Sequence, residues 1–142
     1  MKLLISACLL GLPCRYDGAS KPLSEAALGR LRGRFELVPV CPEQLGGLPT
    51  PRTPSERQED RVIMRDGTDV TAAYDRGARV ACALAMQTGA EAALLKARSP
   101  SCGSGEVYDG TFTGTLTSGD GVTAERLKAL GIPVYTEETF PF

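Results

Sequence analysis

Leu3-Leu4-Ile5-Ser6-Ala7-Cys8 is a short unbroken apolar run that stops at a cysteine, and the same arrangement returns twice further along the chain. A continuous apolar run of this length marks a strand covered on both faces, as in a parallel sheet with helices on either side. Phe35 to Val40 gives a second such strand and halts at Cys41-Pro42, where the imino acid withdraws a ladder donor. Ala92 to Ala97 gives a third, which runs into Arg98-Ser99-Pro100-Ser101-Cys102-Gly103.

Helical patterns fill the intervals. Ser24 caps a helix over Glu25 to Arg32, whose Ala26, Ala27, Leu28 and Leu31 share one face, and Gly33 is placed to end it. Asp69 or Thr71 caps a long helix over Ala72 to Thr88, with Ala73, Val80, Leu84 and Ala85 inward and Gly89 as its stop. Thr123 caps a third helix through Leu130, which Gly131 ends before a fourth strand at Ile132 to Tyr135; Phe140-Pro141-Phe142 packs locally. This alternation predicts an α/β fold over residues 1–142: a single Rossmann-like domain with a mainly parallel sheet of about four to five strands and flanking helices. Arg61 to Val70 adds a small β-hairpin insertion turning at Asp66-Gly67. Leu45 to Pro54, dense in proline and glycine, is an ordered loop or lid, and glycine-rich Ser104 to Gly121 is a loop with some hairpin character.

At 142 residues the chain can bury a core without disulfide staples. Sixteen basic against 17 acidic residues leave a net charge of −1, so no electrostatic funnel for a nucleic acid backbone exists. Aromatics make up 6% and tryptophan is absent, which removes an obvious base-stacking platform for single strands and favours a small-molecule site. Five cysteines, an odd number, fit a secreted disulfide framework poorly and point to a reducing cytoplasm. Met1-Lys2 followed by an apolar run and Ser6-Ala7-Cys8 imitates a lipoprotein signal, yet its apolar part is shorter than the roughly 7–15 residues of a signal core. No apolar run reaches the roughly 18–20 residues of a membrane helix.

In an open parallel sheet, ligands bind beyond the carboxyl ends of the strands, where Cys8, Cys41 and Cys102 all fall. Cys82 differs, because among Ala81, Ala83 and Leu84 in mid-helix a thiol behaves as a small hydrophobe. Cys14, after Pro13, either joins the same site or flanks it. The chain has no histidine, so a cysteine nucleophile lacks its usual base, and the paired cysteines of thioredoxin-like couples are missing. Structural zinc usually draws cysteines in close pairs, which are absent, while widely spaced cysteines from separate loops suit an iron–sulfur cluster about as well.

Three multi-residue motifs stand in fixed order: Ser6-Ala7-Cys8-Leu9-Leu10-Gly11 with Cys14-Arg15-Tyr16-Asp17-Gly18; Cys41-Pro42-Glu43 through Gly46-Gly47-Leu48-Pro49-Thr50-Pro51-Arg52; and Ser99-Pro100-Ser101-Cys102-Gly103. Over nearly its whole length the chain thereby resembles the 2-thiouracil desulfurase family. The resemblance implies a [4Fe–4S] cluster held by three cysteines, with one iron open to the substrate's sulfur. Carried onto this chain the ligands are Cys8, Cys41 and Cys102, with Cys14 a candidate beside them. The implied activity is non-redox desulfuration of a thiolated pyrimidine (2-thiouracil, 4-thiouracil or a thiouridine nucleotide), replacing C=S with C=O and releasing sulfide. On this basis Glu43 activates water or shuttles a proton, and Ser101 orients water or substrate or acts as nucleophile, with Ser99 a weaker alternative. Arg15 and Arg52 are candidates for a substrate anion, since guanidinium forks suit phosphate. The alternative is a noncatalytic iron–sulfur or zinc protein whose site Cys8, Cys14, Cys41 and Cys102 close.

Overall fold

The computed structural model describes Met1–Phe142. Strand β1 (Lys2–Ser6) gives way at once to a 3-10 turn, Ala7–Leu10, which carries Cys8. Helix α1 (Glu25–Arg34) starts where Ser24 Oγ accepts the amide of Ala27 at 3.1 Å. Gly33 does not end it: the amide of Phe35 still reaches Leu31 O at 2.7 Å, and β2 (Glu36–Val40) follows directly, leaving no room for a left-handed cap. A short helix absent from the sequence reading, α2 (Pro42–Leu45), comes next with Cys41 as its N-cap.

The ribbon insertion differs from the expected hairpin. The Asp66-Gly67 turn forms, with Gly67 at φ 93°, but only the single bridge between Ile63 and Asp69 lies beyond it. Strand β4 (Arg61–Met64) pairs instead with β3 (Ser55–Gln58) across Glu59-Asp60. The residues after Gly67 are committed elsewhere. Asp69 Oδ1 accepts from the amide and hydroxyl of Thr71 at the start of α3 (Thr71–Thr88), and Thr71 Oγ1 accepts the amide of Val62 at 2.9 Å.

Strand β5 (Ala90–Leu95) leads into the Ser99–Gly103 loop. The glycine-rich stretch forms a small hairpin of β6 (Glu106–Tyr108) and β7 (Leu116–Ser118). Helix α4 (Val122–Ala129) precedes β8 (Val134–Thr136). Thr123 lies inside the first turn of α4, fully buried and with its hydroxyl unpartnered, rather than capping it. Backbone carbonyls do that work: Pro100 O accepts the amide of Val122, and Ser101 O those of Thr123 and Ala124.

The main sheet has the order β2-β1-β5-β8, every neighbouring pair parallel. Residues of β1 alternate between its faces. Leu3 and Ile5 pack with Leu31 of α1, Leu94 and Phe140, while Leu4 packs on the other face with Ala85, Leu95 and Leu127. Leu3, Leu4 and Ile5 are fully buried, each worth roughly 1.5–3 kcal/mol of transfer free energy. From β1 the chain proceeds to β2 on one side and later to β5 on the other, so the topological switch lies between β1 and β5, at whose carboxyl ends a ligand crevice belongs. Lipid modification at Cys8 is incompatible with this fold, since processing there removes the buried interior strand β1. No helix is long and apolar enough to cross a membrane.

Candidate functional site

The loops that leave β1, β2 and β5 meet around a cavity of 530 Å³, within the usual size of small-molecule sites. Cys8, Cys14, Cys41 and Cys102 all line it; Cys82 lies away from it, on α3 beside Ala129 and Leu130. All five cysteines are free thiols. The Cys41 thiol points at Cys14 O (3.6 Å), and the Cys14 thiol lies between those of Cys41 and Cys8. Cys14 therefore belongs to the site by position.

The thiols sit in an environment that supplies donors to sulfur. At the N-terminus of α2 the amide of Gln44 faces the Cys41 sulfur, and the Ser6 hydroxyl faces that of Cys102. The donors act against other influences. Burial pushes the Cys102 thiol up to about 12, and the Cys14 thiol together with burial raises that of Cys41.

Glu43, on α2, is the hub of the polar wall. Its Oε1 accepts from Arg52 Nε at 2.9 Å and its Oε2 from the Ser101 hydroxyl at 3.0 Å. Ser99 Oγ lies 3.0 Å from Ser101 Oγ and accepts the amides of Ser101 and Cys102, which fixes the loop. With the Ser101 proton directed at Glu43, the Ser99 proton points to Ser101, so one chain of hydrogen bonds runs from Ser99 to Glu43. Arg52, whose side chain is 3% exposed, spends three of its remaining four donors on Pro49 O, Thr50 Oγ1 and Cys14 O. Burial works against its charge, but the Glu43 carboxylate outweighs this and holds the guanidinium above its ordinary range. Arg52 is thus an internal strut and not the free anion receptor that its residue type suggested.

Two glycines place Glu43. A Cβ on Gly77 of α3 would lie 1.9 Å from Pro42 O, and one on Gly46 would lie 2.0 Å from Ala73 O, so α2 rests on α3 backbone against backbone. That contact brings in Tyr74, which no motif announced. Its phenol faces Glu43 and Ser55, and burial, then the Glu43 charge, raise it far above its usual range, so it stays protonated. The only signal was a tyrosine on an apolar helix, whose hydroxyl needs a partner when buried.

A sequence profile of the 2-thiouracil desulfurase family matches residues 3–139. The chain belongs to the 2-thiouracil desulfurase family. A solved structure titled a [4Fe–4S]-dependent thiouracil desulfidase, TudS, superposes with a TM-score of 0.94 at 48% identity, covering 99% of this chain and 93% of that one. The uncharacterised protein YbbK of Bacillus subtilis (strain 168) is 43% identical over 145 residues, 95% of each chain.

The donor set of this desulfurase-family chain can be tested against a cluster directly. No three cysteine, aspartate or glutamate side chains converge tightly enough to grip a single metal ion, which disfavours a mononuclear zinc site. In a cluster each thiolate binds its own iron, so thiols spread around a cavity with the Gln44 amide and the Ser6 hydroxyl as donors at sulfur fit the group.

Proposed function

We propose that this chain hydrolyses the thiocarbonyl of thiolated pyrimidines, exchanging C=S for C=O with water as oxygen donor and hydrogen sulfide as the other product. The observation that carries this is the Arg52–Glu43–Ser101 chain on the wall of a thiol-lined cavity. Likeness to a thiouracil desulfidase over 99% of the chain supports it. Cys8, Cys41 and Cys102 would hold a [4Fe–4S] cluster. When bound, such a cluster supplies a soft Lewis acid with affinity for sulfur, and no redox change is needed.

The chain's own residues move the protons. Arg52 fixes one carboxylate oxygen of Glu43, leaving the other to receive a proton through the Ser101 hydroxyl. Ser101 is 2% exposed and already bound to Glu43 and Ser99, which suits a relay that orients attacking water better than a nucleophile. The proton held on Glu43 returns to the departing sulfide, directly or by way of a ring nitrogen that passes it on, so acid and base are one residue. Water gives its oxygen to carbon and both its protons leave with sulfur.

Lys21 and Arg65 also line the cavity, and neither pairs with a carboxylate; Arg15 has only a 3.7 Å contact to Asp17. These cations favour a thiouridine nucleotide over a free base, and five free thiols suit the reducing cytoplasm. Anaerobic reconstitution with iron and sulfide, followed by sulfide release from 2-thiouracil, 4-thiouracil and 4-thiouridine monophosphate, tests the proposal. Release abolished by Glu43→Ala, with the nucleotide preferred, is expected; a cluster without release from any of the three overturns it.

A second reading rests on Cys14. Its place between Cys8 and Cys41 would allow four protein ligands and a closed, noncatalytic site. Cys14→Ala separates the two: retained iron and activity support three ligands, whereas lost iron supports four.

A further inference from the structure

Phe112 stands at the tip of the β6–β7 hairpin with φ 58°, a left-handed conformation that bulky side chains rarely adopt. Strain of this kind persists only where surrounding contacts over-determine it, and here they do. One carboxylate oxygen, Glu56 Oε1 on β3, accepts the amides of both Gly110 (2.9 Å) and Phe112 (3.1 Å). Gln58 Nε2 adds a bond to Gly110 O at 2.9 Å, and a Cβ at Gly110 would lie 2.6 Å from Gln58 Cγ, so the loop is seated closely on the ribbon. The seating serves no hydrophobic core, because Phe112 belongs to none of the three apolar clusters. It lines the cavity shared by the cysteines and Glu43, with the Arg65 guanidinium 5.7 Å from its ring centroid.

We infer that Phe112 is the platform on which the flat pyrimidine ring stacks, and that Glu56 is the positioning residue that holds the platform over the cavity. The inference rests on the thiopyrimidine reading and narrows it: the site selects planar, conjugated heterocycles rather than thiocarbonyls in general. Stacking on an aromatic ring acts alike on ground and transition states, so its loss raises KM and spares kcat.

The anaerobically reconstituted full chain is assayed with 2-thiouracil and with 5,6-dihydro-2-thiouracil, which keeps the thiocarbonyl and loses the flat ring. Phe112→Gly relieves the positive φ, so its Tm should equal or exceed that of the parent. Its KM for 2-thiouracil should rise about tenfold, the size of a lost base–aromatic stack, with kcat and the dihydro KM within about twofold. Phe112→Trp should keep the parental KM. Glu56→Ala should raise KM as Phe112→Gly does, while Glu56→Gln, whose amide oxygen can accept both N–H bonds, should not. An unchanged KM, or an equal rise for both substrates, overturns the inference. Equilibrium dialysis of labelled 2-thiouracil separates this outcome from failure of the parent reading. Binding weakened by Phe112→Gly without any sulfide release sinks the hydrolytic reading alone, whereas no binding to the parent chain sinks the platform.

Discussion

Arg52 illustrates how far a residue's type can be from its task. An arginine in a proline-rich loop resembles a surface anion receptor, yet this one is buried, paired with Glu43 and gives three more of its five donors to local carbonyl and hydroxyl acceptors. Removing one partner of a buried pair strands the other, so Arg52→Ala should cost about 3 kcal/mol in urea unfolding of the cluster-free chain. A loss below about 1 kcal/mol would show the pair to be solvent-like. Tyr74→Phe removes only the phenolic oxygen facing Glu43. It should change stability by about 1 kcal/mol or less and lower kcat without raising KM, as read by melting curves and steady-state sulfide release. Glu43 and Ser101 were legible in the sequence because each stands within two residues of a cysteine in a segment that follows a strand. Tyr74 was not, because its approach to Glu43 exists only once α2 lies on α3.

At the scale of elements, that contact is set by missing side chains. Gly77→Ala would place a Cβ inside Pro42 O, so α2 must lift from α3. The expected cost is roughly 1–3 kcal/mol with a larger loss of activity, since Glu43 rides on α2; an unaltered melting curve and rate would refute the account. The strand–cysteine repeats and the extent of the long helix were readable from apolar runs and helical periodicity, but its inward face was not: Val80, expected inside, is 40% exposed, and Tyr74, Gly77, Ala78 and Ala81 are buried beside Ala85. The ribbon's register was not readable either. Asp66-Gly67 makes its turn, but Asp69 and Thr71 are recruited to start α3, and β4 takes the upstream partner. Likewise Thr123 has the chemistry of a cap, while the carbonyls of Pro100 and Ser101 occupy that role and tie the cysteine-bearing loop to α4.

For the whole molecule, Asp120 links three parts of the fold: its Oδ1 accepts from Lys128 Nζ and the Gly105 amide, both at 2.8 Å, and its carbonyl accepts from Arg57. Burial opposes its charge, but the Lys128 and Gly105 bonds prevail and lower its pKa. A lowered carboxylate pKa adds stability that is complete above the unfolded value near 3.9 and fades as pH falls through the folded value. Asp120→Asn should therefore lose about 1 kcal/mol at pH 7 and little at the acid end, measured as unfolding free energy against pH. Leu94→Ala, between the sheet and Phe140, should cost roughly 2–5 kcal/mol at any pH. The interior place of β1 also orders events during synthesis. Of its two sheet neighbours, β5 is made on the order of ten seconds after β1 at usual elongation rates. Cys102 comes later still, so Cys8, Cys14 and Cys41 emerge without it, and the set of thiols that lines the cavity is complete only once residue 102 has been made.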